Sequence, residues 1–452
     1  MTPDPQATAG PGVTAARLPV PTARLALVAA GAAVLLLVVA TPGWVAVAVV
    51  AAALLALLAT DAALAPGPRQ VTAARTHPPT VTLHATAALT WTVRNDGTRP
   101  ARVAVADALA PSLGAATRRF AATVPAFATA TATTTMTPRR RGAFRPATMT
   151  VRVTGPLGLG ARQWTRAERT DLRVLPVFRS RSDAETTLAR ARVQEIGLRT
   201  ARGRGGGTEF DHLREYGPDD EFRRIDWAAT ARTGRATVRA YRAERNQTVV
   251  VLLDNGRVMA GTVDGAPRVE HGMDATMALT TVATGLGDRV GLVVFDRAVR
   301  SVLAPSARRS QLAVVTDVLC EVEPELAESD YRGALVETVA RFRRRTLLVV
   351  VSDLTEAAVE EGLLPALPVA LRHHLVVVAG VRDPAVVAMA EGTADGPDGP
   401  YLRAAAVEWI EQRRRAAARL EAVGATVVDA PPADLPRLLC ETYLRAKATG
   451  RL

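Results

Sequence analysis

Two apolar runs near the N-terminus constrain this chain of 452 residues more than any other feature. Residues 25–40 and 44–59 contain no charged side chain, and the Thr-Pro-Gly sequence between them is a turn signal. Apolar runs of this length are typical of membrane-spanning helices, which need about 20 residues to cross the bilayer. We therefore predict a disordered N-terminus at residues 1–24 and a transmembrane helical hairpin at residues 25–65.

Two other interpretations of the apolar runs stay open. A cleaved signal peptide has an apolar region of only about 7–15 residues, so it leaves the second run unexplained. A single tilted helix that is kinked at the Pro-Gly turn accounts for both runs. For a hairpin, the arginines that flank the runs and the uncharged turn place both ends in the cytoplasm, because basic residues favour that side. This predicts a multi-pass protein of the plasma membrane with cytoplasmic soluble domains.

The position of the basic residues is more informative than the net charge of +12. Residues 71–180 hold 16 arginines and four acidic residues, so this segment alone carries +12. A basic segment beside a membrane anchor attracts anionic lipid headgroups, and anionic lipid is therefore a candidate partner. Nucleic-acid binding is not expected, because no recognition motif accompanies the arginines. The two cysteines, Cys320 and Cys440, are too few for a disulfide scaffold.

Short runs of alternating residue types fill residues 71–175, and turn signals such as Asn95-Asp96-Gly97 separate them. This pattern is typical of a small β-sandwich, here an arginine-rich one of the immunoglobulin-like kind. The charged residues 176–207 that follow end in a glycine-rich stretch, which predicts a linker.

Charged and aromatic residues are densest in residues 208–246, which we call the signature segment. Its carboxylates and arginines are spaced closely enough for fork-like ion pairs. Two interpretations are open, a buried salt-bridge network that builds structure or an exposed docking surface. The residues that we single out for either role are Arg214, Asp220, Arg224, Asp226, Trp227 and Arg232.

The signature segment resembles the bacterial domain-of-unknown-function family 58. The resemblance rests on Phe210-Asp-His-Leu-Arg-Glu-Tyr, Arg223-Arg-Ile-Asp-Trp and Val238-Arg-Ala-Tyr-Arg-Ala-Glu, and on the upstream Gly155-Pro-Leu-Gly-Leu. Asp219-Asp220 departs from the Gly-Asp that this family usually has. The resemblance implies a membrane-anchored protein with a von Willebrand A-like domain, commonly linked to MoxR-type AAA+ ATPases.

Apolar strands alternate with helices over residues 247–452. We predict strands at residues 247–253, 288–295, 346–352, 375–381 and 425–429, and helices at residues 274–284, 311–322, 332–342, 403–423 and 433–448. This alternation predicts an α/β domain with a doubly wound, mostly parallel sheet. By the resemblance, this domain is the von Willebrand A-like one, and the chain as a whole is multidomain.

Acidic residues follow two predicted strands, where ligands bind in doubly wound folds. A von Willebrand A-type magnesium site needs an Asp-x-Ser-x-Ser loop, a Thr and a second Asp, since Mg²⁺ prefers hard oxygen ligands. Asp254 begins such a loop here, but Gly256 and Val258 replace both serines. Ser329 is the candidate for the Thr position and Asp353 for the last Asp. We predict no cofactor other than weakly bound Mg²⁺ at this degenerate site.

These features predict a membrane-anchored cytosolic scaffold or adaptor. The family resemblance implies that its partner is a MoxR-type AAA+ ATPase that acts in protein assembly or maturation. We expect no enzymatic activity, because no motif pairs a nucleophile with a base. The competing hypothesis is a metal-assisted hydrolase that uses Asp254, Asp353 and the acidic residues of the signature segment.

Overall fold

The computed structural model describes residues 13–15, 19–39, 43–201, 209–217, 222, 225–242, 247–393 and 397–449. The turn residues Thr41 and Pro42 and the signature residues Asp220 and Arg224 lie outside this set. The chain forms two compact units, Met1–Leu175 and Pro176–Leu452.

The described part of the first unit contains two α-helices, a short 3₁₀ helix at Pro111–Leu113 and twelve strands. The α-helices are α1 (Ala23–Val39) and α2 (Trp44–Leu64). The strands are β1 (Val13–Ala15), β2 (Val20–Pro21), β3 (Val71–Thr76), β4 (Thr80–Thr82), β5 (Ala87–Asn95), β6 (Ala101–Asp107), β7 (Arg119–Val124), β8 (Ala128–Met136), β9 (Gly142–Phe144), β10 (Thr148–Thr154), β11 (Gly160–Ala167) and β12 (Leu172–Leu175).

One helix of the described residues is long and apolar enough to cross a membrane, and it is α2. At 1.5 Å per residue, α2 extends about 31 Å, against about 30 Å for the hydrocarbon core of a bilayer. Helix α1 is equally apolar but extends only about 25 Å. A second membrane passage, as the predicted hairpin requires, is therefore not supported by helix length.

A single loop, residues 155–160, contacts the start of α1 and the end of α2. Asp61 of α2 is fully buried. Its carboxylate accepts three backbone hydrogen bonds of 2.7–2.8 Å from this loop, donated by Leu157, Leu159 and Gly160. Thr22, which precedes α1, donates its hydroxyl to the carbonyl of Gly158 at 2.5 Å. Because the loop contacts these two ends, α1 and α2 run antiparallel.

The described strands of this unit form one six-stranded sheet and two three-stranded sheets. Their orders are β1-β11-β10-β6-β7, with β2 also pairing with β11, then β3-β5-β8 and β4-β12-β9. Every second residue of β6 is buried, which is the alternation of a strand with one face on a core. The prediction of disorder is wrong at residues 13–15 and 20–21, because β1 and β2 pair antiparallel with β11. Residues 1–12 and 16–18 lie outside the described residues.

A buried ion pair lies inside this β unit. The Arg75 guanidinium donates to Asp107 Oδ1 at 2.5 Å, and neither side chain is exposed. Trp91 Nε1 donates to the other carboxylate oxygen at 2.8 Å. Arg75 Nη2 donates to the carbonyls of Pro146 and Glu168, and Nε donates to the Thr170 hydroxyl. With its partners in place, this charge pair is a structural element of the core.

The second unit begins with α3 (Arg181–Ala201), β13 (Glu209–Glu215), α4 (Trp227–Thr233) and β14 (Thr237–Arg242). The remaining strands are β15 (Thr248–Asp254), β16 (Thr262–Val263), β17 (Ala266–Pro267), β18 (Arg289–Phe295), β19 (Val299–Ser306), β20 (Leu347–Val351), β21 (Leu375–Val381) and β22 (Thr426–Ala430). The remaining helices are α5 (Arg257–Ala260), α6 (Arg268–Gly285), α7 (Gln311–Cys320), α8 (Tyr331–Arg341), α9 (Leu364–Leu371), α10 (Pro384–Glu391), α11 (Gly399–Ala422) and α12 (Leu435–Ala448).

The central sheet of this unit has the order β19-β18-β15-β20-β21-β22. All neighbours pair in parallel except β19, which runs antiparallel at one edge. Val251 of β15 packs in a core with α6, α7 and α12, whereas Val250 packs on the other face with α8, α9 and α11. The predicted doubly wound, mostly parallel sheet is confirmed.

The predicted linker contributes to this core. Helix α3 lies in residues 176–207, and its Ala184 is buried against the same face of the sheet as α6. A Cβ at Gly285 of α6 would lie 2.5 Å from the Leu188 side chain, so the two helices are in close contact there. The glycine-rich stretch at residues 203–207 lies outside the described residues.

Candidate functional site

Asp254 ends β15, at the carboxyl edge of the central sheet, and is fully buried. Oδ1 of its carboxylate accepts hydrogen bonds from the Ser329 hydroxyl at 2.5 Å and from the Gly256 N–H at 2.8 Å. Oδ2 accepts from the Tyr331 hydroxyl at 2.7 Å and from the Ser352 hydroxyl at 2.6 Å. Donors of the chain itself therefore surround both carboxylate oxygens.

The Tyr331 hydroxyl is held as a donor to this carboxylate. Burial raises its pKa well above the usual value, and the negative charge of Asp254 raises the pKa further. Ser352 lies 2.9 Å from the same hydroxyl, which links the three side chains. Because the phenol stays protonated, it donates a hydrogen bond to Asp254 Oδ2 and does not act as a base.

Asp353 follows β20, the strand beside β15, and is paired with arginine. Arg413 of α11 donates to Asp353 Oδ1 at 2.5 Å, and the two side chains are only 3% and 1% exposed. Arg268 Nε lies 3.4 Å from the other oxygen. Arg413 also donates to Asp429 at 2.6 Å and lies 4.7 Å from the ring centre of Trp409.

The carboxylates of Asp353 and Asp429 change the pKa of Arg413. Burial alone lowers the pKa of a guanidinium, but the charges of Asp353 and Asp429 and their hydrogen bonds outweigh burial. The pKa of Arg413 is therefore raised. The positive charge that a bound cation would supply to Asp353 comes from a side chain of α11.

The residues at this edge do not fit a divalent cation. Mg²⁺ needs free hard oxygens in octahedral geometry, whereas the oxygens of Asp254 and Asp353 already accept donors of the chain. A side chain at Gly256 has no space, since its Cβ would lie 2.9 Å from the Ala327 carbonyl oxygen and collide with the Ser329 hydroxyl. Across the described ranges, no group of three or more His, Cys, Asp or Glu side chains could hold a metal ion.

The structure therefore does not arrange the predicted site residues as the ligands of a metal ion. Asp254 and Ser329 form a hydrogen-bonded pair, and Asp353 belongs to an arginine network. Sequence reasoning missed Tyr331, Ser352 and Arg413. Of these three residues, Ser352 was the one that the sequence could have indicated. It directly precedes Asp353, so its hydroxyl follows the same parallel strand and lies at the same edge of the sheet.

The described part of the signature segment is largely exposed. Asp226 caps α4, and its carboxylate accepts the Ala229 N–H at 3.0 Å. Trp227 is 60% exposed and packs edge-to-face on Phe222, which is 68% exposed, with ring centres 5.6 Å apart. Two large aromatic rings at a helix start are therefore available to a partner.

Charged residues flank these aromatic rings. Arg232 is exposed, and its Nε donates to the Ala228 carbonyl at 3.2 Å. Arg214 of β13 donates to the Glu215 carbonyl at 3.3 Å. Glu215 at the end of β13 pairs at 2.6 Å with Arg235, which precedes β14, and both side chains are mostly exposed. These contacts lie on the surface. They differ from the buried salt-bridge network that one of the two interpretations of the signature segment predicts.

Residues 212–398 match the family described as "Protein of unknown function DUF58". The resemblance to DUF58 is confirmed. The uncharacterized proteins Rv1480 of Mycobacterium tuberculosis H37Rv and Mb1516 of Mycobacterium bovis are each 28% identical to the chain over 185 residues. This match covers 40% of the chain and 56% of each relative, so the chain spans about half the length of these relatives.

Three solved structures give weak likenesses. The conserved hypothetical protein BatB of Bacteroides thetaiotaomicron has 16% identity and a TM-score of 0.30, covering 45% of this chain and 100% of that chain. The vWF domain of the pili tip protein Mfa5 of Porphyromonas gingivalis has 10% identity and a TM-score of 0.29, covering 46% and 97%. The CARDB domain of PF1109 of Pyrococcus furiosus has 14% identity and a TM-score of 0.17, covering 23% and 94%. At these scores the likenesses carry no argument about function.

Proposed function

We propose that this chain is a membrane-anchored scaffold whose von Willebrand A-like domain docks a partner protein without a divalent cation. The exposed pair Phe222 and Trp227 carries the proposal, because aromatic side chains on a surface are the residues that most often anchor protein partners. Arg232 at the other end of α4 adds a charged contact beside them.

The closed sheet edge supports a non-enzymatic role. The carboxylates of Asp254 and Asp353, the groups that a metal-assisted hydrolase would use, bind hydroxyls and guanidinium groups of the chain. A von Willebrand A-like domain whose edge carboxylates bind its own side chains keeps the strand order of the sheet. It loses the contact that such a domain makes with a partner through a bound cation. In this proposal docking uses other surfaces of the domain, and the signature segment presents two exposed aromatic rings in contact with each other.

The anchor in this proposal is the antiparallel pair of α1 and α2 in the plasma membrane, with the soluble domains in the cytoplasm. Helix α2 spans the hydrocarbon core by length, and local thinning of the bilayer accommodates the shorter α1. The arginines of residues 71–180 lie next to this anchor in the sequence, which favours contact with anionic lipid.

The partner in this proposal is a MoxR-type AAA+ ATPase that acts in protein assembly or maturation. This assignment rests on the DUF58 resemblance of residues 212–398. The chain supplies the membrane attachment and the docking surface, and the ATPase supplies the energy of nucleotide hydrolysis.

Quantitative crosslinking and mass spectrometry on detergent-solubilised membranes test the proposal. Wild type is compared at matched expression with Trp227→Ala and with Tyr401→Ala, which removes a 78%-exposed aromatic ring from α11. We expect an AAA+ ATPase to be enriched with wild type and Tyr401→Ala, and to be lost with Trp227→Ala. If no protein is enriched above a control that carries only residues 1–70, the scaffold proposal is wrong.

A further inference from the structure

The loop at residues 155–160 is uncharged and exposes apolar side chains next to α2. Its sequence is Gly-Pro-Leu-Gly-Leu-Gly. Pro156 and Leu157 are exposed, and Leu157 is exposed by 56%. The loop backbone is nonetheless held in place, because the buried carboxylate of Asp61 accepts three of its N–H groups. Single exposed leucines are common on protein surfaces, so the role of this one depends on where the loop lies.

The loop lies beside the last two turns of α2. A Cβ at Gly160 would lie 2.5 Å from the Leu58 carbonyl oxygen, and a Cβ at Gly155 would collide with the Asp61 carbonyl oxygen. At 1.5 Å per residue, the part of α2 before Leu58 extends only about 21 Å, which is less than the roughly 30 Å of a hydrocarbon core. When α2 crosses the bilayer, the loop therefore lies at the boundary between acyl chains and headgroups.

Two arginines flank this loop. Arg24, in the first turn of α1, lies against Gly158, where a Cβ would be 3.0 Å from Arg24 Nη1. Arg162 Nη2 donates to the Ala63 carbonyl, in the last turn of α2, at 3.0 Å. Both arginines are exposed, and no carboxylate of the described residues pairs with either of them. Because a guanidinium has five donors, both retain free N–H groups beside the loop.

A phosphate group suits these two arginines. A guanidinium donates two parallel hydrogen bonds to phosphate oxygens and stays charged at physiological pH. Basic pockets beside membrane helices bind anionic lipid headgroups in this way. The exposed Pro156 and Leu157 favour a lipid over free inorganic phosphate, because apolar side chains at this depth contact acyl chains and contribute nothing to the binding of a small anion.

We propose that Arg24 and Arg162 bind the phosphate of an anionic phospholipid headgroup, while Pro156 and Leu157 lie among the first carbons of its acyl chains. The site rests on the membrane anchor of the proposed function, because α2 must cross the bilayer to bring the loop to this depth. It deepens that function by assigning a bound lipid to named residues. A lipid held there contacts α1, β11 and the loop at one end of the anchor.

Native mass spectrometry of the full-length chain, released from a neutral detergent, tests the site. The solution contains phosphatidylglycerol, phosphatidylcholine with the same acyl chains, or inorganic phosphate at the same concentration. The site variant is R24Q/R162Q. The matched control is R119Q/R169Q, which removes two exposed arginines at the opposite end of the sheet, where β7 begins and β11 has ended.

We expect wild type and R119Q/R169Q to bind phosphatidylglycerol about tenfold more tightly than phosphatidylcholine, and R24Q/R162Q to lose this preference. Arg24→Gln alone should weaken the preference while it keeps the Arg162 bond to α2, so it replaces the double variant if that variant does not fold. Equal binding of the two lipids by wild type, or an unchanged preference in the folded site variants, overturns the proposal. If inorganic phosphate binds as tightly and with the same dependence on the two arginines, the site takes a free anion and the lipid proposal is wrong.

Extraction of membranes with alkaline carbonate separates this site from the anchor. Wild type and R24Q/R162Q should both stay in the membrane fraction, because neither substitution changes the apolar residues of α2. Release of wild type contradicts the anchor and the lipid site together. Retention of wild type without a preference for phosphatidylglycerol contradicts the lipid site alone.

Discussion

The carboxyl edge of the central sheet and the signature segment use similar residue types in opposite ways. At the edge, Asp353 and Arg413 are almost fully buried and bind each other. In the signature segment, Glu215 and Arg235 pair in solvent, and Trp227 faces outward. Buried charges hold a fold together because removing one leaves the other unpaired, whereas exposed pairs contribute little. Asp353 and Arg413 therefore stabilise the fold, whereas the signature segment presents exposed side chains.

Removal of Arg413 should have the largest effect on stability. Arg413→Ala leaves Asp353 buried without its main partner, and we expect a loss of about 3–5 kcal/mol in the free energy of unfolding. Urea unfolding, followed by tryptophan fluorescence, measures this loss, and Trp409 lies against the mutated side chain.

The neighbouring Arg414→Ala is the control for this variant, since Arg414 is exposed and pairs with the nearby Glu411. We expect this control to change stability by no more than about 0.5 kcal/mol. Equal losses for the two variants would contradict a structural role for the ion pair at the sheet edge.

Asp254→Asn should have an intermediate effect. The substitution keeps the shape of the side chain but replaces one acceptor oxygen by an NH₂ group, which faces donors that now lack a partner. We expect a loss of about 1–3 kcal/mol, since each unsatisfied buried donor has a cost in this range. Thermal unfolding with and without excess MgCl₂ measures the effect.

The same experiment separates a hydrogen-bonded edge from a metal site. MgCl₂ should leave the midpoint of wild type unchanged, because the Asp254 oxygens bind Ser329, Tyr331 and Ser352. A magnesium-dependent rise in the midpoint of wild type that disappears in Asp254→Asn would show that the edge binds the ion after all.

Sequence patterns predict the sheet well where strands are continuously apolar. Strand β21 has the predicted bounds, β18 differs from its predicted bounds by one residue at one end, and β15 and β20 differ by one residue at each end. Strand β19 was not predicted, because it is an edge strand with a proline and only half-buried residues. Apolar periodicity detects burial, and an edge strand has little of it.

Contacts between residues that lie far apart in the chain could not be predicted from the sequence. The positions of Asp254 and Asp353 after strands were predicted, but Arg413 lies 60 residues beyond Asp353 and reaches it through the packing of α11. Asp61 similarly binds the loop at residues 155–160, across almost 100 positions of sequence. Charge pairs at such distances carry no local spacing signal, so only the folded chain identifies them.

Trp227→Ala should have the smallest effect on stability and the largest on docking. The ring is mostly exposed, so its removal costs chiefly the edge-to-face contact with Phe222, about 0.5–1.5 kcal/mol at most. Urea unfolding should therefore place this variant close to wild type, well above Arg413→Ala. If Trp227→Ala instead unfolds as readily as Arg413→Ala, the aromatic pair belongs to the core of the unit, and the loss of a crosslinked partner would reflect unfolding. A stable variant that no longer captures a partner keeps the two regions distinct, because the structural cost then lies at the sheet edge and the binding cost lies in the signature segment.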